Sequence, residues 1–407
     1  MAACLDRYRT TEATLHAFAW LDPDRAMRAA AERDGQEPRG LLHGVPIGVK
    51  DVFDTAGIPT EYGSALFKGR VPDRDADVVR ALYDSGAILV GKSVTAELAF
   101  LHPGPTRNPY DPERTPGGSS MGSAAAVAAG VIPGSIGTQT NGSTIRPAAL
   151  SGTVGFKPTG GRLSTAGSLE FSKTLDQVGV FAGNVTSAAR LAAALAGDAL
   201  EEWWEGTATR APRLAAVRTA DWEAADDAMR ERFQADVDGL ASEGGPIEWP
   251  ALPEGLDQAP ALIQTVMAFE SAKALGPLAE ARPNDVSERA RAFFARGKTI
   301  APEDYERAIR ERLRLIAAFN VWAAEYDAIL TLPATGEAPT PETTGDPRFC
   351  SRWTFVGAPA LVIPTGLGPS GLPLGLQLVG ARGSDHRLLA AAAWAESALP
   401  RPPAPRL

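Results

Sequence analysis

A strand, a helix and a second strand follow one another between residues 41 and 92, and this order restricts the fold more than any other feature. LLHGVPIGVKDVFD (41–54) alternates apolar and small residues, which predicts a strand that ends near Lys50. DADVVRALYDSG (75–86) begins with Asp, spaces its apolar residues three or four apart and stops at Gly, which predicts a helix. AILVGK (87–92) then predicts a short buried strand. Strands that alternate with helices predict an α/β fold whose sheet is covered by helices on both faces.

The composition of the chain changes near residue 200. Residues 200–325 are charged and mostly helical in pattern, and EDYERAIRERLRLIAAFNVWAAEY is their longest amphipathic run. Strand patterns return afterwards, first in DAILTLPA (327–334). Residues 10–34 are predicted to be helical, with a break at Pro23. We therefore expect a single domain over residues 1–407, interrupted by the helical excursion.

Composition and charge narrow the functional classes. The 407 residues are 44% hydrophobic and 22% charged, which is typical of a globular protein with a large core. A net charge of −9 and an isoelectric point near 5.2 offer no basic surface for nucleic acid or an anionic membrane. Cys4 and Cys350 are too few for a disulfide framework or a thiolate metal site. Neither a signal-peptide nor a transmembrane pattern occurs, so we expect a cytoplasmic protein.

A glycine- and serine-rich stretch, TPGGSSMGSAAAVAAG (115–130), leads directly into an alanine-rich helix pattern. Alanine favours helix, and the glycines ahead of it leave backbone N–H groups free at the helix start. Serines at such a position suggest nucleophilic chemistry. The chain has only four histidines, however, so another group is needed to take the proton of a reacting serine.

Two common motifs match by spacing but not by context. GAILVGKS (86–93) has the spacing of a phosphate-binding P-loop, yet its apolar residues are strand formers, and we reject it. GSSMG (118–122) matches the G-x-S-x-G elbow of α/β-hydrolases, with Ser120 as nucleophile and His386 as the only downstream histidine. The preceding DPERTP is turn chemistry rather than a strand. A site of Ser120 and His386 stays open as an alternative esterase mechanism.

Three further stretches combine into a more specific pattern. GVPIGVKD places Lys50 at a strand end, PGGSSMGS supplies Ser119, and GTQTNGSTIRPAA (137–149) supplies Ser143. They resemble the motifs of the amidase signature family, usually written G-V-P-x-x-x-K-D, G-G-S-S-G-G-S and G-T-x-T-G-G-S. NPYDPERTPGGSS and GLPLGLQLVG are also similar, so the resemblance covers roughly residues 15–395. Members of this family are serine hydrolases that use a Ser–cis-Ser–Lys triad.

The resemblance implies a fold and a set of roles. The fold would be an α/β amidase signature fold with a central mixed, mostly parallel sheet covered by helices on both faces. Lys50 would be the base, Ser119 the bridging serine and Ser143 the nucleophile that forms an acyl-enzyme, so no histidine is required. The Gly118–Ser119 peptide bond would be cis. The oxyanion hole would be formed by the backbone N–H groups of Thr140, Asn141, Gly142 and Ser143, with Gly118 and Ser120 as supporting residues.

This role requires that Lys50 be neutral near neutral pH. The pKa of a free lysine is about 10.4, so the protein must lower it. Desolvation by the apolar residues 45–49 would do so, and Asp51 would oppose it if its carboxylate turned toward the ammonium. A surface ion pair between Lys50 and Asp51 is the alternative interpretation of this motif.

The sequence departs from the family pattern in residue type at three positions, and Arg146 follows Ser143 by three residues rather than two. Met121 and Asn141 stand where glycine is usual, and Gln139 stands where many members carry Asp. Met121 either reshapes the substrate pocket or fills the core. Arg146 resembles the arginine of the malonamidase-like branch, where it would bind a substrate carboxylate; a structural pair with Asp176 is the alternative. Met121 and Arg146 are thus candidate substrate-binding residues.

We therefore expect a hydrolase that cleaves the C–N bond of amides, and also esters and carbamates (urethanes), through an acyl-enzyme on Ser143. The expected partner is a small-molecule amide, ester or carbamate, without nucleic acid, membrane, metal or other cofactor, and a homodimer is left open. Within the same fold, the A-type subunit of a tRNA-dependent amidotransferase is the alternative. A degenerate member without activity is a further one.

Overall fold

The structure, a computed structural model, describes the chain except residues 205, 207–210 and 245–246. The strands lie at Phe18–Leu21 (β1), Pro46–Lys50 (β2), Ile88–Ser93 (β3), Gly134–Gln139 (β4), Val154–Lys157 (β5), Gln177–Ala182 (β6), Leu214–Ala216 (β7), Ala328–Thr331 (β8), Ala360–Leu367 (β9) and Pro373–Val379 (β10). The α-helices lie at Ala2–Leu15 (α1), Pro23–Asp34 (α2), Asp77–Asp84 (α3), Met121–Ala128 (α4), Ile145–Ser151 (α5), Val185–Ala196 (α6), Asp227–Gly244 (α7), Ala259–Ala274 (α8), Gly276–Ala281 (α9), Glu288–Lys298 (α10), Pro302–Ala323 (α11), Arg348–Phe355 (α12) and Asp385–Ala398 (α13).

In the described part of the chain the strands form one sheet in the order β1-β3-β2-β4-β6-β5-β9-β10-β8-β7. The predicted mixed sheet with helices is confirmed. The expected excess of parallel strands is wrong, because β2 pairs in parallel with β3 and β4, and β7 with β8, whereas the other six pairings are antiparallel. The short connection at 368–372 makes β9 and β10 a hairpin, and a hairpin is antiparallel.

The strand–helix–strand unit is confirmed as β2, α3 and β3. The stretch with P-loop spacing does not form a phosphate-binding loop, because residues 88–93 of it form β3 and are all buried. The prediction of helix over residues 10–34 is partly wrong. His16 has a left-handed backbone (φ 49°) that ends α1, and Phe18–Leu21 then pairs antiparallel with β3. Tertiary pairing overrides the helical pattern there.

Helices cover the sheet in two groups: α4 contacts α5, and α6 contacts α3 and α13. The predicted excursion at 200–325 contains the undescribed residues, and its described part carries α7 to α11. Within it, α10 and α11 pack against α8, which also contacts α12. None of the helices in the described ranges is long and apolar enough to cross a bilayer.

Candidate active site

The three sequence motifs meet at one edge of the sheet. Strand β2 ends at Lys50, and its parallel neighbour β4 ends at Gln139. Parallel neighbours end at the same edge, so Lys50 lies beside the loop 140–143 that follows β4. The third motif reaches the same place because Ser119 lies two residues before α4, which contacts both strands.

Lys50 is fully buried and is held by two hydroxyl groups. Its Nζ donates to Ser119 Oγ at 2.8 Å and to Thr138 Oγ1 at 2.7 Å. Burial lowers the pKa of Lys50 to about 7; the Asp176 carboxylate opposes this shift and the Arg146 guanidinium adds to it. The predicted desolvation of this lysine is therefore present in the structure.

Asp51 does not pair with Lys50, so the surface-pair interpretation is wrong. Its carboxylate lies 3.1 Å from Nζ of Lys92, which is also buried, and accepts a hydrogen bond from Glu61 N at 3.0 Å. Lys92 further donates to Phe53 O at 3.0 Å. A second lysine thus neutralises the acid next to Lys50.

The Gly118–Ser119 peptide bond is cis. Arg146 Nη2 donates to Gly118 O at 2.5 Å, and Arg146 Nε donates to Thr344 O at 2.8 Å. Gly118 N in turn donates to Thr344 O at 3.1 Å. Arg146 therefore fixes the backbone around this peptide, and its remaining nitrogen, Nη1, is buried without a partner among the described residues.

Ser143 lies in the loop between β4 and α5 and is 8% exposed. Gln139 Oε1 accepts hydrogen bonds from Thr144 N at 2.8 Å and Ile145 N at 3.0 Å, at the start of α5. Within the described ranges, no hydrogen bond from the backbone N–H groups of residues 140–143 reaches another part of the protein. These N–H groups, the predicted oxyanion hole, are thus free of protein acceptors.

Asp176 is the acid of this loop. Its carboxylate accepts from Thr140 Oγ1 at 2.5 Å, Phe171 N at 2.8 Å and Ser172 N at 2.9 Å. Burial raises the pKa of Asp176 to about 6, and the three hydrogen bonds oppose that shift. The predicted alternative, a pair between Asp176 and Arg146, is not formed among the described ion pairs.

A cavity of about 250 Å³ opens at Ser143. Its apolar wall includes side chains from the helical excursion and from three connecting segments: Ala99, Phe100, Leu101, Phe171, Met267, Phe293 and Pro347. Its polar lining is formed by Thr140, Asn141, Ser143, Arg146, Gln264 and Arg296. In the described part of the chain, no group of three or more His, Cys, Asp or Glu side chains is arranged to hold a metal ion.

A family model described as Amidase matches residues 1–389. The chain belongs to this amidase family. Among curated relatives, it is 35% identical to the A-type subunit of the glutamyl-tRNA(Gln) amidotransferase of Acidothermus cellulolyticus, over 97% of this chain and 90% of that protein. The corresponding protein of Anaeromyxobacter sp. is 33% identical, over 99% and 94% of the two chains.

Solved structures agree with this assignment. A crystal structure of an amidase superposes with a TM-score of 0.88 at 31% identity, covering 98% of this chain and 95% of the other. The native peptide amidase from Stenotrophomonas maltophilia superposes with a TM-score of 0.84 at 28% identity, covering 100% and 94%. The amidase signature fold and an amide C–N hydrolase of this family are therefore established for the chain.

Several sequence-predicted residues of this amidase lie outside the cavity. Ser120 is fully buried and hydrogen bonds to Thr138, as donor to its carbonyl oxygen at 3.2 Å. His386 is exposed on α13. Ser120 and His386 form no hydrogen bond, so the alternative esterase dyad is wrong. Met121 is fully buried, and its sulfur accepts from Gly104 N at 3.1 Å, so it fills the core and does not line the cavity.

Sequence reasoning missed the residues that surround the motifs. Thr138, the second partner of Lys50, lies inside the quoted GTQTNGS motif and could have been found there. Phe293 and Arg296 lie in the amphipathic stretch SERARAFFARGKT (287–299), but such a stretch has the same pattern whether it faces a core or a cavity. Gln264 carries no local signal.

Proposed function

We propose that this amidase hydrolyses the C–N bond of small carboxamides through an acyl-enzyme on Ser143, with Lys50 and Ser119 as the proton relay. The observation that carries the proposal is the environment of Lys50. A buried lysine that contacts two hydroxyl groups, and pairs with no carboxylate among the described residues, is able to act as a base near neutral pH.

The proposed proton path uses the hydrogen bond between Ser119 Oγ and Lys50 Nζ. Ser143 Oγ attacks the amide carbonyl while its proton passes to Ser119 Oγ, whose own proton passes to Lys50 Nζ. When the tetrahedral intermediate collapses, the proton returns through Ser119 to the leaving nitrogen, which departs as ammonia or an amine. A water molecule then attacks the acyl-enzyme by the same relay and releases the carboxylic acid.

Charge on the carbonyl oxygen develops next to the loop 140–143. Its backbone N–H groups have no protein acceptor within the described ranges, which supports the oxyanion hole predicted from Thr140, Asn141, Gly142 and Ser143. Loss of one such donor typically costs about 3 kcal/mol of transition-state stabilisation. Arg146 contributes in two ways. Nη2 donates to Gly118 O and Nε to Thr344 O, which also accepts from Gly118 N, and Nη1 is the nitrogen left for an oxygen of the substrate.

Esters and carbamates present the same carbonyl to the same nucleophile, and we include both as substrates to be tested. A panel of aryl amides, dicarboxylic monoamides, aryl esters and aryl carbamates is assayed with the purified chain alone. Ser143→Ala is expected to abolish turnover and covalent labelling by a fluorophosphonate, whereas Ser120→Ala is expected to retain labelling. Labelling that persists in Ser143→Ala and disappears in Ser120→Ala would reject the proposal.

A second candidate function is that of the A-type subunit in an amidotransferase, and the curated relatives named above favour it. Such a protein would use the same acyl-enzyme chemistry but pass the released ammonia to another site. The net charge of −9 by itself gives no support for tRNA binding. Turnover of simple amides by the isolated chain supports the hydrolase. Glutamine-specific activity that appears only after addition of amidotransferase partner subunits would support the second candidate.

A further inference from the structure

The inner wall of the cavity is built by two helices that carry none of the signature motifs. On α10, Phe293 and Arg296 both line the cavity, and on α8 Gln264 and Met267 do so. Residues three apart lie on the same face of a helix. Each helix thus presents one apolar and one polar side chain to the space in front of Ser143.

Three phenylalanine rings form the apolar side. The Phe100 and Phe171 rings stack with centroids 5.2 Å apart and an interplanar angle of 20°. The Phe293 ring lies 4.5 Å from Phe100 and 6.2 Å from Phe171. Aromatic side chains favour stacked or edge-to-face contact with a further ring, so this wall fits a flat apolar group.

The charged side chains that line the cavity are all positive. Arg146 and Arg296 are its cations, and no acidic side chain lines the cavity within the described residues. Two nitrogens of Arg146 are occupied by backbone carbonyl groups. The Arg296 side chain has no hydrogen bond or ion pair in the described ranges and is exposed, so its whole guanidinium is available to a carboxylate.

We propose that the substrate is a small aromatic carboxamide that also carries a carboxylate, with the ring against Phe100, Phe171 and Phe293 and the carboxylate on Arg296. The volume of about 250 Å³ is below the range of about 300–1,000 Å³ typical of drug-sized ligands, which agrees with a single substituted ring. The inference rests on the proposed function, because the same cavity must present the amide to Ser143.

Binding, rather than turnover, tests this inference. The probes are benzamide, 3-carbamoylbenzoate, 4-carbamoylbenzoate and the aliphatic succinic acid monoamide, titrated by calorimetry into Ser143→Ala, which cannot consume them. At least one carbamoylbenzoate is expected to bind about tenfold more tightly than benzamide, as one charge-assisted contact at a partly screened site allows. It should also bind more tightly than the succinic acid monoamide, which lacks the ring.

The variant Arg296→Gln, made in the same background, is expected to remove most of the preference for carbamoylbenzoate over benzamide. Arg310→Gln is the matched control, because Arg310 is an exposed α11 residue paired with Glu306 and outside the cavity lining. The preference should also decrease with added salt. Equal binding of benzamide and both carbamoylbenzoates, or a preference that survives Arg296→Gln, would overturn the inference.

The proposed hydrolase activity and the proposed substrate class can be rejected independently of each other. If the wild-type chain turns over neutral amides but Ser143→Ala shows no preference for the anionic ring, the hydrolase stands and the substrate class is rejected. If the preference is present and depends on Arg296, but no amide is cleaved and Ser143 takes no fluorophosphonate, the cavity assignment stands and the hydrolase is rejected.

Discussion

Thr354 Oγ1 donates a hydrogen bond to the backbone carbonyl oxygen of Asn141 at 2.6 Å, which ties helix α12 to the loop that carries Ser143. The same hydroxyl accepts from Gln139 Nε2 at 2.9 Å. One turn earlier, Ser351 Oγ donates to Asn141 Oδ1 at 2.6 Å. Two of the positions at which this sequence departs from the family, 139 and 141, are thus bound to hydroxyl groups of one helix.

Thr354→Val is expected to lower kcat by about 10- to 100-fold with a smaller effect on KM, because a displaced loop misaligns the nucleophile and the oxyanion donors. Steady-state kinetics on the best amide of the panel would measure the separate effects on kcat and KM. Thr365→Val is the matched control, since Thr365 is also fully buried and donates to Asp236 at 2.6 Å, away from the cavity. Both variants should lose about 1–3 kcal/mol of unfolding free energy, but an equal loss of kcat would contradict a positioning role for Thr354.

Histidine is not expected to take part in proton transfer. His386 is exposed on α13 and forms no hydrogen bond with Ser120, so His386→Ala should keep kcat/KM within about tenfold of the wild type. Loss of a true general base usually lowers the rate about 10²–10⁴-fold. A decrease of that size in His386→Ala, with an unchanged unfolding transition, would argue against the lysine relay.

The chemistry of the site was more predictable from sequence than its walls. Lys50, Ser119 and Ser143 lie in short motifs with restricted residue types, because each motif places one group at a strand or helix end. Phe293 and Arg296 follow Ser143 by well over a hundred residues, and an amphipathic helix gives the same pattern whether it faces a cavity or a core.

Local patterns also failed where long-range pairing decides the backbone. Residues 18–21 follow a helical pattern, yet they complete the sheet edge beside β3. The hydrogen bonds that join Asn141 to Ser351 and Thr354 span more than two hundred residues and involve common residue types. No local pattern distinguishes these hydroxyl groups from those of ordinary helix residues.

The rate should depend on pH through Lys50. Its pKa of about 7 means that Lys50 is protonated and inactive as a base at lower pH, so kcat/KM should rise with pH and level off above about 7. The midpoint belongs to the coupled Lys50, Ser119 and Ser143 system. Lys50→Met should lower the rate about 10²–10⁴-fold and remove this rise of kcat/KM with pH, which we call the pH limb.

Lys157 provides the control for that experiment. It is equally buried, its pKa is also lowered by burial to about 7, and it donates to Gln177 and Ala358 rather than to a cavity residue. Lys157→Met should keep the pH limb of kcat/KM. A pH limb of kcat/KM that survives Lys50→Met would place the titrating group elsewhere.

The two lysines should also affect stability. Both bind more protons in the unfolded chain than in the folded chain between pH 7 and about 10.5. The unfolding free energy should therefore rise with pH in that window, and each substitution should reduce the slope.

Asp176 should set the position of the same limb. Its carboxylate raises the pKa of Lys50 against the larger effect of burial, so Asp176→Asn should move the limb of kcat/KM to lower pH. The asparagine oxygen can still accept from Thr140 Oγ1, which preserves the loop contact. Asp236→Asn is the matched control: Asp236 is also buried with a pKa raised to about 6, but it pairs with Arg232 and Thr365. Full pH profiles of the three proteins measure the shift. A limb that stays in place in Asp176→Asn, or one that moves equally in Asp236→Asn, would show that the charge on Asp176 does not control the protonation of Lys50.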